Sequence, residues 1–396
     1  MSGREALFPN YGSFFTARPV KGKGSKLWDE NGKEYLDLMS GIAVLGLGHA
    51  PDAVSEALKN QIDQLWHVSN LFEIPGQEKL SKMLTEVSCA DLAFFCNSGA
   101  EANEAAIKLA RRYNRKVLGN DRYEIITFKG SFHGRTLATL TATGQDKVKD
   151  GFDPLPSGFV HVEYNNIEAL RAAINGKTCA VMMEFVQGEG GVNPADKTFV
   201  QGVKQLCKEY NLLLIADEIQ TGIGRTGKMF GYQNYDIEPD IITLAKGIAS
   251  GFPMGAMLGK AFLRDGLSAG SHGSTFGGTP IACAAAIATL EEMLSKKVPE
   301  RAARLGAAGL QKLRESLKDH PALVTIRGLG LIMGIELKHS VIEIVKAAER
   351  EGLLVITAGP NVIRLLPALT ISEEEWLGGL EKLAGIILKS EHKVVV

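Results

Sequence analysis

Five short apolar runs recur between residues 75 and 285: Leu92–Cys96, Ile125–Phe128, Ala180–Phe185, Leu212–Ala216 and Ile241–Ala245. None alternates polar with apolar, so each reads as a strand buried on both faces. Helical stretches such as Glu78–Val87 and Glu101–Tyr113 lie between them. Fully buried strands separated by helices predict a mainly parallel sheet covered on both sides, an α/β fold.

The pattern differs on either side of this block. The first fifty residues hold short elements, Lys26–Asp29 and Glu34–Leu38, with Asn31-Gly32 as a hairpin turn between them. A helix is expected over Asp52–Leu65. After residue 285 come long helices (Ala284–Leu294, Ala302–Leu317), a strand over Leu329–Leu337, a helix over Val341–Arg350 and short strands near Val355 and Ile363. Ser372 with Glu375 three residues on is a capping box that opens a last helix. The expected division is an N-terminal segment (1–50) packing with the small domain, a large domain (51–285), and a smaller C-terminal α+β domain (286–396).

Composition removes several function classes. With 44 basic and 45 acidic residues, the net charge of −1 offers nothing to nucleic acid. The five cysteines form no C-x-x-C pair, so neither a disulfide framework nor a zinc site is expected. No metal ligand set stands out. The chain shows no signal-peptide core and no membrane-length apolar run, and a reducing cytoplasmic setting is the expectation.

Two strand ends carry charge. Asp217 closes the run Leu212–Ala216, and Lys246 follows Ile241–Ala245. Ligands of open α/β sheets bind just outside the carboxyl ends of strands. A lysine in apolar surroundings loses charge and becomes nucleophilic. A carboxylate facing a protonated pyridine nitrogen keeps the ring electron-poor, so the pair suggests pyridoxal phosphate held on the lysine. Charged residues are also common at ordinary strand ends.

Other candidates surround this pair. Asn97-Ser98-Gly99-Ala100 follows a strand and opens a helix, whose free N–H groups suit a phosphate; the same residue types make a simple N-cap. In Phe132-His133-Gly134-Arg135 the aromatic can stack on a flat cofactor and the arginine can clamp a carboxylate, while the histidine reads as a hydrogen-bonded loop residue. Glu189 lies in a glycine-rich loop. Arg364 sits among Val362, Ile363 and Leu365 and needs a partner there. Ser271–Pro280 is rich in hydroxyls and glycines. The segment from Thr221 to Lys228 fits G-x-G-x-x-G at Gly222, Gly224 and Gly227, but no amphipathic helix follows to hold a phosphate, so it reads as a glycine-rich turn near a ligand.

Taken in order, Phe132-His-Gly-Arg-Thr, Asp217-Glu-Ile-Gln-Thr-Gly-Ile-Gly-Arg-Thr-Gly, Leu244-Ala-Lys-Gly and Ser274-Thr-Phe-Gly-Gly resemble the class III aminotransferases over essentially the whole chain. Gly41–His49 and His67–Phe72 favour the branch acting on the terminal amine of an acylated diamino acid. The resemblance implies the fold-type-I architecture of pyridoxal-phosphate transferases and a homodimer with shared active sites. It implies that Lys246 carries the cofactor and Asp217 pairs with its ring nitrogen, that Gln220 bonds the phenolic oxygen beside Glu218, and that Phe132 and Ile219 flank the ring. Ser98, Gly99 and Ala100 would hold the phosphate, with Thr275 from the other subunit. Arg135 would bind a distal carboxylate near Ser274, and Arg364 the α-carboxylate of glutamate, with 2-oxoglutarate as the amino acceptor. Glu189 is expected to neutralise Arg364 when the incoming amine has no adjacent carboxylate. Strand alternation puts Asp217 and Ile219 on one side, so Gln220 can join them only if the strand ends near Glu218. Pro51, Asp52 and Thr279 depart from the family's usual residues.

Overall fold

A computed structural model describes residues 6–11 and 14–390; the outermost parts of the expected N- and C-terminal divisions lie outside the described residues. The strands, in chain order, are β1 (Pro19–Lys23), β2 (Lys26–Asp29), β3 (Glu34–Asp37), β4 (Leu92–Cys96), β5 (Glu124–Phe128), β6 (Phe159–Val162), β7 (Thr178–Met183), β8 (Val186–Gln187), β9 (Asn193–Pro194), β10 (Leu213–Asp217), β11 (Ile241–Leu244), β12 (Gly255–Gly259), β13 (Leu323–Leu329), β14 (Ile332–Leu337), β15 (Leu353–Leu354), β16 (Ile356–Thr357) and β17 (Val362–Leu365).

Seven of them form the central sheet in the order β4-β12-β11-β10-β7-β5-β6. Every residue of β7, β10 and β11 is buried, the state expected of runs without alternation. Only β12 runs against its neighbours, β11 and β4. The carboxyl ends of β4, β5, β7, β10 and β11 therefore share one edge, and each of their loops opens there. Neither β6 nor β12 was expected from sequence. Gly255-Ala-Met-Leu-Gly is short, small and flanked by glycine, and gives no periodic signal.

Helices flank this sheet. Gly99–Lys116 buries an alanine-rich stripe (Ala102, Ala105, Ala106, Ala110), which lets it lie close to the strands. Lys197–Tyr210 places Phe199, Val200, Val203 and Leu206 on the other core cluster. No helix among the described residues is long and apolar enough to cross a membrane. The five cysteines are free.

A second sheet, β13-β14-β17-β16, is wholly antiparallel. The sequence suggested a single strand over Leu329–Leu337, but Gly330-Leu331 turns the chain into the β13–β14 hairpin. Helices Val298–Leu317 and Glu373–Ser390 pack together, with Trp376 buried between them and its Nε1 donating to Leu305 O at 2.9 Å. The capping box forms: Glu375 N donates to Ser372 Oγ and Ser372 N to Glu375 Oε2. Strand β3 pairs in parallel with β15, so the N-terminal strands are fastened to this part of the chain.

The glycine-rich segment from Thr221 to Lys228 has a structural task. Arg225 is 2% exposed and donates to Leu331 O and Pro367 O, while Leu331 N donates to Arg225 O. It thereby docks the β13–β14 turn onto the central sheet. Gly330 adopts φ +59°, and a Cβ there would stand 2.5 Å from Arg225 O. Gly330→Ala should therefore cost about 2–3 kcal/mol, read as a lower urea midpoint; an unchanged midpoint would mean that the joint yields freely.

Candidate active site

The shared strand edge encloses a cavity of about 460 Å³. Every strand whose carboxyl end reaches it contributes side chains. The β4 loop brings Ser98, Gly99 and Ala100; the β5 loop brings Phe132, His133 and Arg135; the residue after β7 is Glu184, and the β8–β9 connection brings Glu189; β10 and the turn after it bring Asp217, Ile219 and Gln220; the turn after β11 brings Lys246. Most of the sequence candidates are thus gathered in one place from segments far apart in the chain.

Asp217 lies deep, 2% exposed. Its Oδ2 accepts hydrogen bonds from His133 Nδ1 at 2.7 Å and Asn103 Nδ2 at 2.8 Å, and its Oδ1 accepts from Ile219 N at 3.1 Å. A carboxylate can only accept, so His133 carries its proton on Nδ1. Asn103 also donates to His133 O at 2.7 Å, locking the three residues together. The histidine is the hydrogen-bonded loop residue expected, and the partner it holds is Asp217. Asn103 was missed, although a buried polar residue in an alanine stripe was visible in the sequence.

Lys246 opens a short 3-10 turn in the left-handed region, φ +46°, where a side chain is strained. Its side chain lines the cavity. Desolvation lowers its pKa against the opposing pull of Glu189 and Asp217, so the amine loses charge more readily than an ordinary lysine.

Strand β10 ends at Asp217, and the turn closed by Gly222 N on Glu218 O at 2.9 Å carries both Ile219 and Gln220 into the cavity. The bend on which Gln220 depended is therefore present. Glu218 does not line the cavity. Its buried carboxyl accepts from Gly231 N and Tyr232 N, both at 2.8 Å, and burial raises its pKa to about 7. It braces the turn from behind.

Ser98 caps the helix Gly99–Lys116, its Oγ accepting from Glu101 N at 3.2 Å. The capping reading is thus correct, and it leaves the next backbone N–H groups of an eighteen-residue helix directed at the cavity edge. Gly99 has a packing reason as well: a Cβ there would meet Ile219 Cδ1 at 2.8 Å.

Arg364 reaches in from β17 of the second sheet. It is 1% exposed, and its Nη1 donates to Glu189 Oε1 at 2.6 Å and Gln220 Oε1 at 3.4 Å. Burial works to raise the Glu189 pKa, but the charge and hydrogen bond of Arg364 outweigh it and hold the carboxyl below its usual range. Arg135 is exposed over the Phe132 ring at 5.4 Å and lines both this cavity and an adjoining one of about 520 Å³. Ile42, Gln145 and Lys147 also border the second cavity. Ser274 and Thr275 stand apart. Ser274 Oγ accepts from Asn97 Nδ2 at 3.1 Å and Gly277 N at 3.0 Å, and exposed Thr275 borders a separate surface hollow with His67 and Asn70.

These residues fit pyridoxal phosphate. The cavity supplies a partly desolvated amine, a carboxylate held by three donors, apolar walls at Phe132 and Ile219, and a helix N-terminus for the anionic group.

A family model described as aminotransferase class-III matches residues 9–387. An acetylornithine aminotransferase of Oceanobacillus iheyensis is 52% identical over 91% of this chain and 90% of its own. Among solved structures, an ornithine aminotransferase of Toxoplasma gondii, with PLP at partial occupancy in its active site, superposes with a TM-score of 0.94 at 32% identity, covering 98% of this chain and 94% of that one. The N-acetylornithine aminotransferase of Stenotrophomonas maltophilia gives 0.84 at 35% identity, over 97% and 98%.

The Lys246 amine generates a measurable cost. Its folded pKa is depressed, so the unfolded chain holds the extra proton, and stability is lost as pH falls from the ordinary lysine value of 10.5 through the folded value. Lys246→Met should raise the Tm of the cofactor-free protein near neutral pH, with an advantage that shrinks as pH approaches 10.5. A pH-independent difference would show that the amine is not desolvated.

Proposed function

We propose that this chain, which belongs to the class-III aminotransferase family, moves the terminal amino group of N2-acetylornithine to 2-oxoglutarate, giving N-acetylglutamate 5-semialdehyde and glutamate in arginine biosynthesis. The observation that carries the choice is the Arg364–Glu189 pair at 2.6 Å beside Lys246. A site built only for α-amino acids needs the arginine free. Here a carboxylate neutralises it, which suits an amine with no carboxylate beside it.

Pyridoxal phosphate supplies an electron sink that makes the carbon bearing the amine acidic. Lys246 would hold the cofactor covalently, and its desolvated Nζ would be the group that moves the proton between the substrate carbon and the acceptor carbon. Asp217 would pair with the ring nitrogen and Gln220 with the phenolic oxygen. Phe132 and Ile219 would supply the apolar walls for the ring. Ser98, Gly99 and Ala100 would hold the phosphate. Arg135 binds the distal carboxylate, with Ser274 nearby. In the second half-reaction Glu189 releases Arg364, which then takes the α-carboxylate of glutamate or the matching carboxylate of 2-oxoglutarate.

We infer a homodimer in which Thr275 reaches the phosphate of the partner's site. Leu71 lines the hollow that holds Thr275, and Leu65, Trp66, Phe72 and Phe276, in the same two segments of chain, are exposed large apolar side chains of the kind a partner would cover. Division of the chain near residues 50 and 285, and a cytoplasmic setting for its free thiols, complete this reading.

The test is a panel of amines with 2-oxoglutarate: acetylornithine, succinylornithine, N-succinyl-diaminopimelate intermediates, ornithine and 4-aminobutyrate. Acetylornithine should give the highest kcat/KM, and turnover without 2-oxoglutarate would point instead to an aminomutase. Glu189→Gln should shift preference about tenfold toward amines with an adjacent carboxylate, the order of one broken charged hydrogen bond. An unshifted ratio of kcat/KM values would rule out the gate.

A further inference from the structure

Glu184 has no part in the scheme above, yet it lies in the cavity wall. It follows the last residue of β7, and the pairing of Met183 with Ala216 sets it beside Asp217 at the next register position. It is 6% exposed. Its Oε2 accepts from Phe132 N at 3.1 Å, and the backbone N–H of Gly188 also favours the charged form of the carboxyl. Its own carbonyl accepts from Tyr164 Oη at 2.8 Å, and Tyr235 Oη holds the carbonyls of Phe185 and Ala195 at 3.2 and 3.1 Å. The residue is therefore anchored at the backbone from outside the site, while its carboxyl ties the Phe132 loop to the segment that runs through β8 to Glu189.

Those two segments carry different tasks. One presents Phe132 to the cavity, and the other presents Glu189 to Arg364. Gln187 Nε2 donates to Lys129 O at 2.9 Å and lays them side by side at their roots. Glu184 adds the tie nearest the chemistry. We infer that Glu184 is a positioning residue whose carboxyl clamps the Phe132 backbone to the turn before Glu189, holding the cofactor wall and the Arg364 gate in fixed relation. This rests on the proposed roles of Phe132 and Glu189.

The charge environment agrees with a clamp that carries no net charge. Burial, then the neighbouring Asp217, push the Glu184 carboxyl well above the usual range, against the backbone N–H groups of Phe132 and Gly188. A neutral carboxyl still accepts an amide hydrogen bond and adds no second negative charge beside Asp217. Glutamine keeps an acceptor oxygen at the same reach, whereas alanine removes it.

The experiment compares wild type, Glu184→Gln and Glu184→Ala, both cofactor-free and reconstituted with pyridoxal phosphate. Three quantities are read: the Kd of the cofactor by absorbance titration, kcat, and KM for 2-oxoglutarate against KM for the amine. Glu184→Ala should weaken cofactor binding about tenfold and move the two KM values by unequal factors, while Glu184→Gln stays within about threefold, the scale of one lost hydrogen bond. In a Glu189→Ala background the unequal KM effect should vanish, because coupled residues are not additive. If the alanine variant does not fold, Glu184→Asp, which shortens the reach, should show the same pattern.

A hundredfold loss of kcat in Glu184→Gln with unchanged cofactor affinity would overturn the clamp in favour of a proton carrier. Wild-type values for Glu184→Ala in all three readouts would remove any role. A wild-type enzyme inactive on every amine would instead refute the proposed reaction, while leaving the cofactor titration able to judge Glu184.

Discussion

Burial of charge is the constraint on which this site depends. Lys246, Asp217, Glu184 and Glu189 line one cavity, Arg364 pairs with Glu189 behind its wall, and an unpaired ion in such a place is costly. Each is offset in its own way. Asp217 accepts three hydrogen bonds, Arg364 and Glu189 neutralise each other, and Lys246 and Glu184 are driven toward their uncharged forms by desolvation. The arrangement works only because the parallel strands deliver these groups to the same edge. A one-residue slip of β10 against β7 would turn Asp217 to the opposite face of the sheet.

The cost of desolvating Lys246 has a chemical use. A lysine in water is mostly protonated at neutral pH and attacks carbonyl carbon poorly. Withdrawn from water, the same amine is a nucleophile and a proton carrier. The strained φ of +46° at this residue is consistent with a side chain directed by its surroundings rather than by its own preference.

Much of this was legible in the sequence because the central strands are buried on both faces and their ends are charged. The apolar runs located β4, β5, β7, β10 and β11 to within a few residues, and Asp217 and Lys246 stood out at two of their ends. Glu184 stands one residue past β7, but the apolar run Ala180–Phe185 encloses it, so no strand end marks it in the sequence. Strand β12 was hidden because Gly255-Ala-Met-Leu-Gly has neither alternation nor bulk. The β13–β14 turn was hidden because a single glycine, Gly330, reverses a chain that is apolar on both sides of it. Asn103 and His133 belong to a network whose members lie 30 and 84 or more positions apart, and no local pattern reports such a meeting. For the glycine-rich segment from Thr221 to Lys228 the sequence did contain the decisive physical feature, the lack of a following helix to hold a phosphate. The segment's actual use, docking Gly330 through Arg225, depended on a distant part of the chain.

The groups proposed for the chemistry and the group proposed for choosing the amine come from different sheets. Asp217 ends a strand of the central, mainly parallel sheet and Gln220 and Lys246 lie in the turns just past its strands, whereas Arg364 projects from β17 of the antiparallel one. The two sheets meet through the Arg225 joint and through the Glu189–Arg364 contact itself. Arg364 nonetheless acts on the amine, since its charge lowers the Lys246 pKa while that of Glu189 raises it, so the pair that reads the carboxylate is nearly neutral toward Lys246 only while it stays paired. The division between two sheets explains why the cofactor chemistry can be read from two strand ends while the identity of the amine cannot. The first is fixed by desolvation within one sheet, and the second by how a distant arginine is neutralised.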